Sequence, residues 1–175
     1  MMEHAGQSTG EHTVLDLDAH VKEFATLSLH AFQDRQPDFD CRLVIDSGAA
    51  GARISGASQE LGRAWLNILS NAFDAVEQHA RSAAPDFTPA VHIESTSDDN
   101  QVELRITDNG PGIAADDLGR VFEPFFTTKP TGEGHTGLGL SLTHDILAKG
   151  HGGSIRAESP PEGGTTIVVT LPIVA

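Results

Sequence analysis

The sequence predicts an α+β two-layer sandwich: a mixed, mostly antiparallel sheet of about five strands with about three helices on one face. Three observations lead there. Helix-like and strand-like segments alternate irregularly instead of in regular βαβ order. The strand-like segments come in neighbouring pairs joined by short polar turns, the arrangement that antiparallel hairpins need. The long helical pattern keeps its apolar residues on one face only, as a helix covering one side of a sheet must.

Residues 1–14 read as a flexible N-terminal tail, the first ten being small and polar, and 15–175 as one domain. From about Asp18 to Phe32, Val21, Phe24, Ala25, Leu29 and Phe32 recur at helical spacing. Arg42 to Asp46 (RLVID) is a short strand pattern. Ser58 to about Arg81 is a long helix, with Leu61, Ala64, Trp65, Ile68, Ala72 and Val76 on one face and Ser58 as its expected N-cap. Pro85 and Pro89 close it. Strands follow near Val91–Ser95 and Gln101–Thr107, joined by the turn SDDN. Leu138 to Lys149 is a further helix with Gly150 as its expected C-cap. The last two strands, Ser154–Glu158 and Thr165–Leu171, are joined by SPPEGG.

At 175 residues the chain can bury a core without staples, and Cys41, its single cysteine, excludes an internal disulfide. No run approaches the ~20 apolar residues that cross a bilayer, and MMEHAGQSTG lacks the basic and apolar parts of an export signal. The expectation is a cytoplasmic protein. A net charge of −14 repels nucleic acid and anionic lipid, so neither is an expected partner. An anionic ligand would have to be held by aimed backbone donors, a metal ion and a lysine.

Four stretches bear on chemistry. In NILSNAFDA, Asn67 and Asn71 are four apart and share a helix face. Glu60, Arg63, Asn67, Asn71, Asp74 and Gln78 form a polar stripe that any solvated face would show. Two amide oxygens there would also suit Mg²⁺ that arrives carrying phosphates, because magnesium takes few protein ligands. DNGPGI, from Asp108 to Ile113, has the dipeptides of a hairpin turn, yet the acidic, helix-patterned IAADDLGRVFEPFF follows instead of a returning strand. A carboxylate at a strand end, with glycines that admit a flat ring, suits the exocyclic amine of a purine. FEPFFTTK places three of the eight phenylalanines within five residues as a hydrophobic anchor. Lys129 lies just beyond, an ordinary exposed lysine or a point charge for a phosphate. GHTGLGLSL fits neither the Rossmann nor the Walker spacing, and reads as a plain loop or as glycines at a helix N-terminus, where free N–H groups and the dipole hold phosphate.

Taken in order, Asn67 and Asn71, the run Asp108 to Gly112, Phe122 to Phe126, Gly137 to Leu140, and GGTT before the last strand resemble the N, G1, F and G2 boxes of the ATP-binding catalytic domain of sensor histidine kinases. That domain belongs to the superfamily shared with gyrase, Hsp90 and MutL and has the Bergerat-type fold. The resemblance runs from about Leu15 to Pro172. It implies ATP and Mg²⁺ as cofactors, Asn71 as principal metal ligand with Asn67 assisting, and Asp108 as acceptor of the adenine amine, helped by Thr165 through water. It further implies that Gly110 and Gly112 shape the base pocket and that Gly137, Leu138, Gly139 and Leu140 hold phosphates, with Lys129 contacting them. Residues 130 to 136 would be a mobile lid anchored by Phe122, Phe125 and Phe126, which would also face the partner helices.

Hydrolysing members of the superfamily carry a glutamate where this chain has Asn67, so transfer to another acceptor is expected over hydrolysis. Many sensor kinases carry a cation where this chain has Asp74. None of the nine histidines has the setting of the phosphoacceptor. The resemblance therefore implies a protein-histidine kinase domain that acts on a separate dimerisation and phosphotransfer helical module, and through it on a response regulator. A nucleotide-binding regulatory module without transferase activity and an anti-sigma-type serine kinase are the alternatives.

Overall fold

The computed structural model describes residues 10–126 and 139–174. Seven strands and the helices between them follow in chain order: β1 (Thr13–Asp16), α1 (Leu17–Arg35), β2 (Arg42–Ser47), β3 (Arg53–Gly56), α2 (Ser58–Ser82), β4 (Ala90–Ser97), β5 (Gln101–Asp108), the short α3 (Ala115–Leu118), α4 (Gly139–His144), β6 (Ser154–Glu158) and β7 (Thr165–Pro172). From Asp145 to Gly150, α4 continues as a π-helical turn. The main sheet has the order β2-β4-β5-β7-β6, with β2 and β4 parallel and every other neighbouring pair antiparallel. The predicted mixed sheet with helices on one face is thus present, with four helices among the described residues.

The period-two alternation of β5 decides what faces the helices. Val102, Leu104 and Ile106 are buried against Leu61, Trp65, Ile68, Phe73 and Val76 of α2, and the same alternation carries Asp108 onto this inner face. Across the ladder Ile106 pairs with Ile167, Leu104 with Val169 and Asp108 with Thr165. The outer face carries charge. Arg105 bonds Glu158 at 2.6 Å and Glu103 at 3.3 Å, and Arg156 reaches Glu158 at 3.2 Å.

Several expectations need correction. The expected tail over 1–14 gives way at Thr13, because Thr13 and Val14 pair with Gly56 and Ser55 in a second, two-stranded sheet of β1 and β3. Ser58 is not an N-cap. Ala57 holds that position with no side-chain cap bond, and the Ser58 hydroxyl lies 3.0 Å from Nε2 of His20. The indole N–H of Trp65 donates to Nδ1 of the same ring at 3.0 Å, so the proton sits on Nε2 and is given to Ser58. Burial holds the His20 pKa below its ordinary value, which keeps this neutral tautomer in place. Nor does Gly150 end its helix. The π turn runs through it, His151 is the C-cap, and the left-handed residue is Gly152, with φ +66°.

His151 joins two helices. Its Nε2 accepts from the Ala57 N–H at 3.0 Å, which leaves Nδ1–H to donate to the Ile146 carbonyl at 2.8 Å. The end of the α4 π turn is thereby tied to the start of α2.

Candidate functional site

The polar face of α2 connects two otherwise separate groups of residues. Asn67, Asn71 and Ala75 stand four apart and so lie along one face, spanning about 12 Å of helix axis. At the Ala75 end the helix meets the loop after β5: a Cβ on Gly110 would fall 3.0 Å from the Ala75 Cβ and 2.9 Å from Oδ1 of Asp108. At the Asn67 end it meets α4: Nδ2 of Asn67 donates to the Gly139 carbonyl at 3.2 Å and to the Thr143 hydroxyl at 3.3 Å. Asn71 is half-buried midway between them. Leu140, the second residue of α4, packs partly buried against the core.

Asp108 is only 7% exposed. Burial pushes its carboxyl up to about 6, opposed by the backbone amides of Gly110 (2.9 Å) and Thr165, which both donate to it. Thr165, expected to help hold a ligand beside Asp108, thus stands next to the carboxylate on the neighbouring strand. The two glycines before Thr165 have positive φ, +109° at Gly163 and +80° at Gly164, a region costly for other residues. A Cβ on Gly164 would come within 2.7 Å of the Asp108 carbonyl oxygen. The Gly164 amide donates to the Gly110 carbonyl at 3.0 Å. Ser159 accepts from the Ile113 amide at 2.8 Å and donates to the Gly164 carbonyl at 2.7 Å. Gly112, with φ +82°, sits inside this knot. The loop after β5 and the Gly-Gly turn before β7 thus form one hydrogen-bonded body around Asp108.

Sequence reasoning missed two residues here. Asn109 clamps the entry to β4, with Oδ1 accepting from the Ala90 amide at 2.9 Å and Nδ2 donating to the Thr88 carbonyl at 2.8 Å. Ser159 had no signal beyond its place beside two prolines. Among the phenylalanines, Phe122 packs against the core with its ring 6.1 Å from that of His144, and Phe126 lies under Arg120 at 4.8 Å. Phe125 is no anchor: it is 74% exposed, with φ +66°. Lys129, Gly137, Leu138 and the expected lid over 130–136 lie outside the described residues.

One face of α2 thus has Gly110 and Asp108 beside one end and Gly139 beside the other. Residues 56–175 match the family model described as histidine kinase-, DNA gyrase B-, and HSP90-like ATPase.

The chain belongs to the histidine kinase-, DNA gyrase B- and HSP90-like ATPase family.

Within this ATPase family it is similar to sensor histidine kinases. It is 35% identical to the sensor histidine kinase ZraS of Escherichia coli (strain K12) over 151 residues, 85% of this chain and 30% of that protein. It is 41% identical to the two-component sensor PprA of Pseudomonas aeruginosa over 124 residues, 70% of this chain and 13% of that protein. The chain thus spans less than a third of the length of these curated relatives. Among solved structures it superposes on the mycobacterial sensor histidine kinase MprB with a TM-score of 0.68 and 30% identity, covering 93% of this chain and 97% of that one. The catalytic domain of histidine kinase ThkA gives a TM-score of 0.74 at 24% identity, covering 93% and 95%, which shows the shared fold. Among the described residues no helix is long and apolar enough to cross a membrane.

Proposed function

We propose that this ATPase-family chain binds Mg²⁺–ATP along the polar face of α2 and donates the γ-phosphoryl group to a histidine on a separate dimerisation and phosphotransfer helical module. A response regulator would receive the phosphoryl group in turn. The observation that carries this reading is the single helix face that touches Gly110, beside Asp108, at one end and Gly139 at the other.

The residues present fit the nucleotide. Asp108 would accept from the adenine amine, and its raised pKa reflects a carboxylate that is buried ready for a donor. Gly110 and Gly112 let the loop close tightly on Ala75 and Asp108 and on Ser159 and Gly164, which would hold the carboxylate in place for the base. The first amides of α4, at Gly139 and Leu140, would donate to phosphate oxygens, and Gly137, Leu138 and Lys129 would complete that cradle. Asn71 and Asn67 offer neutral amide oxygens, which suit a magnesium ion whose remaining ligands are phosphate and water. The ion, when bound, neutralises charge on the transferred phosphoryl group. Asn67 supplies no carboxylate to activate water, which favours transfer to an imidazole nitrogen over hydrolysis. The cytoplasm, where ATP is abundant, is the compartment this reading requires.

Two measurements test the reading. Titration with ATP, with and without Mg²⁺, should show binding that Asp108→Ala abolishes and that Asn71→Ala deprives of its magnesium dependence. Incubation with labelled ATP should leave the isolated chain unlabelled and should label a histidine on an added cognate helical module. Acid-labile phosphate appearing on the chain alone would overturn the assignment of the acceptor to a separate module.

A further inference from the structure

Thr143 lies on α4, fully buried, and nothing in the boxes of the nucleotide site calls for a hydroxyl there. A valine would fill the same shape, and a buried hydroxyl without a partner is costly, so its bonds explain its presence. Its Oγ1 donates to the Gly139 carbonyl, four residues earlier on the same helix face, at 2.8 Å. That spends its only hydrogen, so towards Asn67 the oxygen can only accept. The Gly139 carbonyl can only accept as well. Both acceptors therefore demand the NH₂ end of the Asn67 amide, at 3.3 Å and 3.2 Å, and the amide orientation follows from the chemistry of its neighbours. The carbonyl oxygen of Asn67 is left over as an acceptor.

We propose that Thr143 is a positioning residue for phosphate binding: with Asn67 it grips the Gly139 carbonyl, fixing the first turn of α4 against α2 and presenting the Asn67 amide with its oxygen available to the ligand. This role rests on the Mg²⁺–ATP reading above. A second observation supports it independently. His151 ties the far end of the same helix to Ala57 at the start of α2, so α4 and its π turn are held to α2 at both ends. A helix fastened twice to the asparagine-bearing helix keeps its first amides at a set distance from Asn71, which a phosphate chain bridging the two requires.

The test is calorimetric titration of the full chain with ATP and, separately, with AMP, both with Mg²⁺. Thr143→Val should bind ATP about tenfold more weakly, the worth of one buried hydrogen bond, while its affinity for AMP stays within about twofold of wild type. Thr143→Ser, which keeps the hydroxyl, should recover most of the ATP affinity. A purely structural role would lower ATP and AMP binding together. That result, wild-type ATP binding by Thr143→Val, or failure of serine to rescue would each overturn the proposal. If Thr143→Val does not fold, Thr143→Ala carries the same comparisons. A wild-type chain that binds no ATP at all would overturn the nucleotide reading first, and the positioning role with it.

Discussion

Replacing Asp108 by asparagine should make the ligand-free protein more stable at neutral pH while weakening its hold on ATP. Burial raises the carboxyl of Asp108 from 3.8 to about 6, a difference of roughly 3 kcal/mol between its protonated and ionised forms in the fold. The folded chain holds this proton more tightly than the unfolded one. The stabilising contribution is therefore full below pH 3.8 and is lost as pH rises through about 6. A neutral amide escapes that loss. It has one acceptor oxygen for the two backbone donors at Gly110 and Thr165, which costs about 1–2 kcal/mol. The net gain for Asp108→Asn above pH 7 is then about 1–2 kcal/mol, or a Tm higher by roughly 2–8 °C for a chain of this size. Near pH 4 wild-type Asp108 is largely protonated in the fold, and the order reverses. Thermal scanning of both proteins at pH 4 and pH 7.5, without nucleotide, reads this directly, since every other group titrates alike in the two. Curves that do not cross between these pH values would refute the claim that burial of this carboxyl opposes folding.

Gly110→Ala should cost about 1–3 kcal/mol by urea midpoint, because its Cβ would press within 2.9 Å of the Asp108 carboxylate and 3.0 Å of the Ala75 Cβ, and it should weaken ATP binding by displacing that carboxylate. Trp65→Phe removes the donor to Nδ1 of His20 and should lower stability by about 1–3 kcal/mol in guanidinium unfolding. Since burial lowers the His20 pKa, wild-type stability should fall as pH drops below 6.5, and His20→Gln should flatten that fall in denaturant midpoints measured across the range. Asn109→Ala releases the Ala90 amide and should speed its hydrogen exchange several-fold, with a stability loss of about 1 kcal/mol.

What the sequence reveals of this fold follows period and packing. The alternation Val102, Leu104, Ile106 implies the inner-face position of Asp108, because a strand turns every second residue to the same side. The stripe on α2 is equally plain, since a helix covering a sheet must be apolar along one line. β1 and β3 escape that logic. Each has four residues, and β1, exposed or half-buried throughout, has no alternation to read. Ser58 and Thr143 escape for another reason. A hydroxyl four or more residues from a helix end, or at its first position, can bond locally or across the fold, and only the position of His20 or Asn67 decides which. The polar stripe of α2 was legible as a face, whereas the division of labour along it, with Asn67 bonded to α4 and Ala75 against Gly110, depends on neighbours more than thirty residues away in the chain.

The pairing of Asp108 with Thr165 has a consequence for biosynthesis. The two residues are separated by 56 others, and the carboxylate gains its second amide donor only once β7 has left the ribosome and aligned beside β5. A nascent chain that already displays both asparagines still has an unfinished wall where the purine would rest. Cellular ATP would thus act as a ligand of the completed domain alone, drawing the last strand home by mass action and leaving earlier intermediates untouched.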